Sequence, residues 1–450
     1  MTRPVLFDAV REAAEHRSIA ITTRDGTHTF LELLSASERY AHTIPEGPVS
    51  LRVHDPVAAA VVLLACDLVG TPVVHEDPET VHPAIGATIT DVPVPGAKVW
   101  KASDTLSLWT SPAPEGDVPV RLPQRTHTFR TSGSTGAPTG VVRTAEAVLA
   151  DGRRVAAFLD YGAKSPVIVC APLFHVYAFN YGLVGTLTIG APTRYLPTRS
   201  VPSQLVRGAR EHRARTLIAL PAHYRMLASS QDLFQSTLRR AVSAGAPLAE
   251  GVAAALREKS SFTLFNCYGS SEAGAVTLAP ALADTAVVGE PLPGVRTRLD
   301  QVDEGEELLL KTESLAVGRL GPDGFVPLET DQGWYRTGDL VRSATAGIRI
   351  VGRRGSVINV GGKKVNPSEI ESVLRGHPAV SEVQVLPEAH HAYGHVPVAR
   401  AVAKGPTSVE ELVGWCRKHL EAHQIPRRID LVSELPRSAT GKTLRDVHRQ

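Results

Sequence analysis

The sequence predicts an α/β protein with a large N-terminal domain of doubly wound, mostly parallel sheets, followed by a small α+β C-terminal domain. Short apolar segments alternate with helical segments from about residue 145 to residue 266, as in parallel sheets covered by helices. From about residue 287 the pattern changes to short alternating strands, typical of a small β-barrel-like subdomain. The last hundred residues combine strands and helices in a third pattern.

Composition places the chain among ordinary globular proteins. Its 450 residues are enough for two or three domains with hydrophobic cores. Hydrophobic residues make up 43% and charged residues 21%, which argues against a disordered chain. The formal net charge of +2 gives no support for a nucleic-acid partner. Four widely spaced cysteines, Cys66, Cys170, Cys267 and Cys416, are typical of buried thiols in a reducing compartment.

The most apolar window, residues 57–74, does not have the pattern of a membrane span. It contains Asp67 and the breaker sequence Gly70-Thr71-Pro72, so it predicts a buried helix followed by a buried strand. The first residues show no signal-peptide pattern. We therefore expect a cytoplasmic protein with no membrane span.

Domain boundaries follow from these changes of pattern. Within the N-terminal domain, helices are predicted at residues 145–159, near 177–189, after Pro221 and at 247–259, and strands at 167–170, 216–220, 238–243 and 262–266. The predicted N-terminal domain, residues 1–351, consists of a short first lobe at 1–124, an α/β lobe at 125–286 and the small β subdomain at 287–351. A hinge at 352–355 is predicted to connect it to a mobile C-terminal domain at 356–450.

A Ser/Gly loop opens the α/β lobe. Residues 131–140 read TSGSTGAPTG, and two hydroxyl–glycine pairs allow a tight turn whose backbone N–H groups bind phosphate. The loop lacks the GxxxxGK[ST] pattern of a P-loop. Taken alone, such a run is more typical of an exposed Ser/Gly linker, and the motifs that follow it favour the phosphate loop.

Five further motifs follow this loop in a fixed order: Pro172-Leu173-Phe174-His175, Tyr268-Gly269-Ser270-Ser271-Glu272, Tyr335-Arg336-Thr337-Gly338-Asp339, the glycine-rich segment 352–371, and Pro436-Arg437-Ser438-Ala439-Thr440-Gly441-Lys442. In order and spacing the six motifs resemble the adenylate-forming superfamily. That superfamily contains acyl-CoA and aryl-CoA synthetases, luciferases and the adenylation domains of peptide synthetases. The resemblance covers residues from about 55 to 445.

The resemblance implies that a carboxylate attacks the α-phosphate of ATP to give an acyl-adenylate and pyrophosphate. Both reactants are anions, so the site must neutralise charge. The implied catalytic residues are Lys442, Ser271, His175 and Glu272, of which Glu272 would also bind Mg²⁺. The implied ATP-binding residues are Thr131, Ser132, Gly133, Ser134, Thr135, Gly136, Gly245, Asn266, Cys267, Tyr268, Asp339 and Arg353; among them, Tyr268 would cover adenine, and Asp339 and Arg353 would contact the ribose.

An aromatic segment indicates the acid substrate. Residues 174–182 read FHVYAFNYG and resemble the corresponding region of plant coumarate-CoA ligases. They lack the carboxylate that α-amino-acid-specific domains carry there. The implied substrate-binding residues are His175, Tyr177, Phe179, Tyr181 and Gly269, with Tyr181 shortening the pocket to fit a benzoate-sized acid. The competing interpretation is that these aromatic residues are only the core of a helix.

The sequence departs from the family pattern at three positions. The lysine expected after Pro138 is Thr139, so one cation beside the pyrophosphate is missing, and Arg143 is one possible replacement. Glycine stands at the expected hinge residue, Gly355, where it widens the accessible φ/ψ range. The position after Val357-Ile358 is Asn359.

The resemblance also implies a thiol acceptor, either CoA or the phosphopantetheine of an acyl carrier protein. Gly361 and Gly362 would line the thiol tunnel, with Lys363 and Lys364 available for anionic groups of the acceptor. The alternatives are adenylation of an amino acid or fatty acid for another acceptor, or a non-catalytic nucleotide-binding relative. Glu272, Asp339 and Lys442 are all present, which favours an enzyme.

Overall fold

The computed structural model describes residues 3–14, 19–79, 85–101, 106–113, 120–131, 139–230, 237–246, 248–321 and 323–436, with Thr131 and Thr139 described by their backbone alone. The helices are α1 (Leu6–Ala14), α2 (Phe30–Ala41), α3 (Pro56–Val69), α4 (Ala145–Phe158), α5 (Val176–Ala178), a π-helical segment (Phe179–Val184), α6 (Gly185–Leu187), α7 (Pro202–Glu211), α8 (Pro221–Ala228), α9 (Glu250–Lys259), α10 (Pro367–Arg375) and α11 (Val409–His419). The strands are β1 (Ile19–Thr22), β2 (Thr27–Thr29), β3 (Val49–Arg52), β4 (Val73–His75), β5 (Ala87–Thr90), β6 (Lys98–Lys101), β7 (Ser107–Ser111), β8 (Thr126–Thr131), β9 (Thr139–Thr144), β10 (Val167–Cys170), β11 (Thr193–Tyr195), β12 (Thr216–Ala219), β13 (Arg240–Ser243), β14 (Thr263–Ser270), β15 (Gly274–Pro280), β16 (Val287–Gly289), β17 (Arg296–Val302), β18 (Gly305–Lys311), β19 (Gly318–Gly321), β20 (Gly324–Pro327), β21 (Tyr335–Ala344), β22 (Gly347–Arg353), β23 (Ile358–Val360), β24 (Lys363–Val365), β25 (Val380–His390), β26 (Gly394–Ala403) and β27 (Arg428–Val432).

Two sheets form the first compact unit, which comprises residues up to Thr285 with Glu290–Arg296 and Lys311–Glu329. One sheet has the order β20-β19-β9-β8-β4-β3-β5-β7-β6, and the other β15-β14-β13-β12-β10-β11-β1-β2. The central strands of both sheets are parallel. The predicted α/β class with mostly parallel, doubly wound sheets is confirmed.

The apolar window at residues 57–74 folds as its sequence predicts. Helix α3 begins after Asp55, whose side chain accepts a hydrogen bond from the Val57 N–H, and ends at Gly70 with φ of +81°. These are the usual residue choices for a helix N-cap and C-terminus. The helix is buried from Val57 to Asp67, and β4 follows it with all three residues buried.

The structure differs from the sequence prediction in the helix near residue 180. Instead of one α-helix, the chain forms a π-helical segment between α5 and α6. At Gly182, an added Cβ would lie 3.0 Å from both methyl groups of Val169, and the Gly182 carbonyl accepts hydrogen bonds from the hydroxyls of Tyr195 and Thr186. The contacts with Val169 and Tyr195 come from strands β10 and β11 and accompany the wider turn, and local helix propensity does not reveal them.

The second compact unit comprises Ala286–Gly289, Thr297–Leu310 and the chain from Thr330. Its first sheet is β16-β22-β21-β18-β17, an open five-stranded sheet, so the described strands do not close the barrel-like subdomain that the sequence suggested. Its second sheet is β24-β23-β26-β25 with β27 beside β26, and α10 and α11 bury Ile370, Leu374 and Leu412 in its core. Strands β19 and β20 belong to the first unit. The hinge at 352–355 stays a prediction.

The cysteine prediction agrees with the structure. Cys66, Cys170 and Cys416 are buried free thiols, and Cys267 is partly buried. Burial raises the pKa of the Cys170 and Cys267 thiols to about 12, so neither is a reactive thiolate near neutral pH. No helix in the described parts of the chain is both long and apolar enough to cross a membrane.

Candidate active site

The carboxyl ends of four neighbouring strands form one edge of the eight-stranded sheet. The last residues of β10, β12 and β13 are Cys170, Ala219 and Ser243, and they are in register with one another and with Asn266, beyond which β14 continues to Ser270. After β10 the chain forms β11 on one side and then crosses to β12 on the other. Open α/β sheets bind ligands at such a switch point, beyond the carboxyl ends of the strands. The predicted motifs at 172–175 and 268–272, and the predicted residues Gly245 and Cys267, all lie at this edge.

Two polar atoms at this edge are buried without a hydrogen-bond partner among the described residues. They are Oγ of Ser243, a fully buried residue, and Nε2 of His175, a partly buried one. Burial lowers the pKa of His175 to about 4, against the opposing effect of Asp77, so its ring is neutral near pH 7. Because an unsatisfied buried polar atom is costly, this edge fits a polar ligand.

A tight hairpin between β14 and β15 carries the predicted catalytic turn. The register shifts between Tyr268 and Gly269, and a Cβ at Gly269 would lie 2.2 Å from the Gly274 carbonyl oxygen. Only glycine fits there. The carbonyl of Glu272 accepts a hydrogen bond from the Ala316 N–H at 2.7 Å, so the backbone of the turn is fixed.

Asp151, on α4, anchors the far side of this hairpin. Its carboxylate is fully buried and accepts hydrogen bonds from the Ala275 N–H at 3.0 Å and the Asn180 amide at 2.5 Å. Gly274 has φ of +75°, and a Cβ on it would lie 2.2 Å from Oδ2 of Asp151. Arg143 donates to the same oxygen at 3.2 Å. The carboxylate therefore connects the hairpin to α4, the π-helical segment and β9.

The interpretation of Arg143 as the cation that replaces a lysine at Thr139 is wrong. Arg143 has no exposed surface. Its guanidinium donates to Asp151 and to the carbonyls of Ala147 and Ser314. A buried arginine whose charge is neutralised in this way stabilises the fold and does not reach a bound pyrophosphate.

Sequence reasoning did not identify Asp151, although the sequence contains a signal. Val148, Asp151 and Val155 lie on the buried face of α4 at helical spacing. A carboxylate on an apolar helix face predicts a buried, paired charge. Its partners come from distant parts of the chain, so the sequence alone does not give them.

Glu272, the predicted Mg²⁺ ligand, forms an ion pair with Arg319. Nη2 of Arg319 lies 2.9 Å from Oε1 of Glu272, and the two side chains are 50% and 18% exposed. Within the described ranges, no group of three or more His, Cys, Asp or Glu side chains could hold a metal ion. Since Mg²⁺ in nucleotide enzymes commonly takes one or two carboxylates plus phosphate oxygens, Glu272 alone fits this ion when a nucleotide supplies the other ligands.

Replacing Glu272 with glutamine is expected to raise the Mg²⁺ concentration needed for half-maximal pyrophosphate exchange by about tenfold or more. The variant keeps the shape of the side chain and removes its charge. A Mg²⁺ titration of wild type and Glu272→Gln measures the effect, with Glu258→Gln, on the exposed end of α9, as control. An unchanged titration would place the metal ligand elsewhere.

The other predicted nucleotide contacts of this unit occupy the same edge. Gly245 has φ of +85° after β13. The Asn266 side chain donates to the Thr285 carbonyl at 3.0 Å, which uses one amide hydrogen within the protein. Tyr268 and Cys267 are partly buried. The roles of these residues toward ATP stay predictions.

The three predicted aromatic pocket residues are all buried. The Tyr177 hydroxyl donates to the Val242 carbonyl at 2.5 Å, so it is engaged within the protein. Phe179 packs against His75 and Phe129. Tyr181 is 3% exposed and meets the Tyr177 ring edge-to-face at 5.5 Å between centroids. These contacts agree with both interpretations of the aromatic residues, as a rigid pocket wall or as the core of a helix. The role of Tyr177, Phe179 and Tyr181 in binding the acid therefore stays a prediction.

In the second unit, the structure brings the two predicted ribose contacts together. Asp339 on β21 is paired in register with Arg353 on β22, and Nε of Arg353 lies 3.7 Å from Oδ1 of Asp339. Gly338, with φ of +74°, donates its N–H to the buried carboxylate of Glu307 at 3.2 Å. The Asp339 N–H donates to the Thr337 hydroxyl at 3.0 Å, so the Thr-Gly-Asp turn is held on both sides.

The predicted hinge residue and the predicted thiol-tunnel residues of this unit are glycines with left-handed backbone angles. Gly355 has φ of +75° with open space around its Cα. Gly361 and Gly362, at φ of +57° and +89°, form the turn between β23 and β24. The Asn359 side chain accepts a hydrogen bond from the Gly362 N–H at 2.8 Å. Asn359 therefore stabilises the turn that the sequence assigns to the thiol tunnel.

Several predicted residues lie outside the described part of the chain. These are Ser132, Gly133, Ser134, Thr135 and Gly136 of the phosphate loop, and Lys442. Thr131 is described by its backbone, which pairs with Thr139 where the loop begins and ends.

Two family models match the chain: the AMP-binding enzyme family at residues 121–316 and the AMP-binding enzyme C-terminal domain at residues 369–442. The chain is 25% identical to a 2-succinylbenzoate–CoA ligase of Bacillus subtilis over 459 residues, covering 95% of this chain and 94% of the relative. It is 28% identical over 334 residues to a long-chain-fatty-acid–CoA ligase of Escherichia coli O6:H1, covering 70% and 59% of the two chains.

Solved structures share the fold. The o-succinylbenzoate CoA synthetase (MenE) of Bacillus subtilis in complex with its acyl-adenylate intermediate OSB-AMP aligns with a TM-score of 0.82 and 22% identity, covering 100% of this chain and 99% of that chain. ATP-bound MatB from Rhodopseudomonas palustris aligns with a TM-score of 0.81 and 20% identity, covering 98% and 97%. The matched models cover both the lobe with the phosphate loop and the C-terminal region, and on this basis the chain belongs to the AMP-binding enzyme family of adenylate-forming enzymes.

Proposed function

We propose that the protein is an ATP-dependent ligase that joins a small aryl carboxylic acid to CoA through an acyl-adenylate. The main support for this proposal comes from the switch-point edge of the eight-stranded sheet. There the predicted motifs converge beside the unsatisfied Ser243 hydroxyl and the His175 imidazole. The Asp339–Arg353 pair of the second unit supplies groups suited to ribose hydroxyls.

The reaction class follows from the charges of the reactants. A carboxylate oxygen attacks the α-phosphorus of ATP, the bond to the bridging oxygen breaks, and pyrophosphate leaves with the electron pair. The CoA thiolate then attacks the acyl carbon, and AMP leaves. Glu272 would hold Mg²⁺, which neutralises phosphate charge when bound. The fixed hairpin keeps Ser271 and Glu272 oriented before the reactants arrive.

An aryl acid is supported by the segment 174–182 and by the relatives. The segment is rich in aromatic residues and has no carboxylate that would bind an α-ammonium group. Several similar proteins are named 2-succinylbenzoate–CoA ligase. A carrier-protein thiol is the alternative acceptor, and amino acids and fatty acids are the alternative substrates.

Pyrophosphate exchange with a panel of acids tests the proposal. The panel contains benzoate, 2-succinylbenzoate, cinnamate, a long-chain fatty acid and an α-amino acid, each assayed alone. Thioester formation is then measured with CoA and with a phosphopantetheinylated carrier protein. We expect the highest kcat/KM with an aryl acid and transfer to CoA. A preference for the fatty or amino acid would contradict the substrate class.

Replacing Tyr181 with serine is expected to shift the preference from benzoate-sized to longer acids. If Tyr181 closes the far end of the pocket, the change removes a ring-sized obstacle, and each methylene-sized misfit is worth about 1–3 kcal/mol. The ratio of kcat/KM for cinnamate to that for benzoate should rise by about tenfold or more.

The matched control is Tyr161→Ser, which removes another buried tyrosine of the same unit, in the segment that follows α4. It measures the effect of general destabilisation on the same ratio. If Tyr181→Ser leaves the ratio where the control leaves it, Tyr181 belongs to the helix core and not to the pocket.

A further inference from the structure

We infer that Arg319 supplies the positive charge that stabilises the pyrophosphate of bound ATP, in place of the lysine missing at Thr139. This inference rests on the proposed function. Strand β19 pairs with β9, so that Arg319 lies opposite Val141 and Leu320 opposite Gly140. Arg319 is therefore on the strand next to the one that leaves the phosphate loop.

The local packing fixes where the Arg319 backbone lies. Strand β19 is held between β9 and β20. A Cβ at Gly318 would lie 2.3 Å from the Phe325 ring, so the hairpin packs closely. Gly318 and Leu320 are buried, whereas Arg319 is exposed. The strand therefore directs the arginine away from the face that its neighbours bury.

The other arginines on the strands that flank the loop already have buried counter-ions. Arg143 is neutralised by Asp151, and Arg130 on β8 pairs with the buried carboxylate of Glu76 at 2.7 Å. Arg319 differs because its carboxylate partner, Glu272, is the predicted Mg²⁺ ligand. The pair is part-exposed, so exchanging partners costs little.

This arrangement assigns two roles to one ion pair. Without nucleotide, Arg319 neutralises Glu272 and keeps its carboxylate at the turn. With Mg²⁺ and ATP bound, the Glu272 carboxylate would hold the metal, and the Arg319 guanidinium would donate to oxygens of the β- and γ-phosphates, for which its planar fork is suited. As the α-phosphorus–oxygen bond breaks, the electron pair moves onto the pyrophosphate, whose charge Arg319 then stabilises.

Equilibrium binding tests the inference independently of catalysis. Dissociation constants for ATP, pyrophosphate and AMP are measured by calorimetry, with Mg²⁺ and with EDTA, for wild type, Arg319→Ala and Arg319→Gln. Loss of a charged contact in the two Arg319 variants should raise the dissociation constants for ATP and pyrophosphate by about tenfold. AMP lacks the β- and γ-phosphates, so its affinity should not change, which also shows that the variants are folded.

A rescue and a control complete the test. Thr139→Lys in the Arg319→Ala background returns a positive charge at the position where the family has lysine and should recover ATP affinity. Arg207→Ala, at an exposed arginine on α7, should leave the affinities for ATP, pyrophosphate and AMP unchanged. Equal losses for ATP and AMP, no loss for either, or no recovery with Thr139→Lys would overturn the role of Arg319. A wild-type protein that binds neither ATP nor AMP would instead contradict the proposed function.

Discussion

Replacing Lys442 with alanine is expected to lower the rate of acyl-adenylate formation by about three orders of magnitude. In the Pro436–Lys442 motif, the lysine is a long cationic donor that can contact the attacking carboxylate and the α-phosphate together. Lys442 lies outside the described residues, so this expectation comes from the motif and its family. A contact made mainly in the transition state lowers kcat more than it raises KM for ATP.

Pyrophosphate exchange measures this effect, with Lys418→Ala as control. Lys418 is an exposed lysine in the last turn of α11 and should tolerate the change. Exchange by Lys442→Ala within about tenfold of wild type, or about 1.4 kcal/mol, would rule out the assigned role.

Replacing Gly355 with proline is expected to block one of the two half-reactions. Gly355 has φ of +75° in this structure, whereas proline holds φ near −65°. The half-reaction that uses the observed backbone angle should therefore fail, while a half-reaction that uses a negative φ should survive. The control is Gly405→Pro. Gly405 lies in the segment before α11 and does not have a positive φ.

Separate assays of the two half-reactions decide the question. Acyl-adenylate formation is followed by pyrophosphate release, and thioester formation is followed from synthetic acyl-adenylate and CoA. Equal loss in both assays, or activity in both, would contradict a rotating hinge at Gly355. Gly405→Pro should leave both half-reactions near wild type.

The family and the fold class were predictable because they depend on local signals. The N-cap residue Asp55 and the terminal Gly70 delimit α3, and the motif residues follow apolar strands at the spacing of the family. The resemblance implied that Asp339 and Arg353 both contact the ribose, and the structure places the two residues opposite each other on β21 and β22. Their predicted role in binding ribose remains to be measured.

Long-range contacts explain what the sequence did not predict. Arg143 looked like a free cation near the loop, but its partners Asp151 and Ser314 are 8 and 171 residues away. Residues 318–327 looked like part of the small β subdomain, yet β19 pairs with β9 and β20 pairs with β19, so both strands extend the nine-stranded sheet. Strand pairing over such separations is set by tertiary packing and not by local pattern.

The proposed chemistry is tested most directly by the products formed from ATP and an aryl acid in the absence of CoA. We expect pyrophosphate and an enzyme-bound acyl-adenylate that mass spectrometry detects. When CoA is added, the acyl-adenylate should be converted to acyl-CoA and AMP. Formation of ADP and phosphate, or no nucleotide turnover with any acid of the panel, would contradict the proposed chemistry.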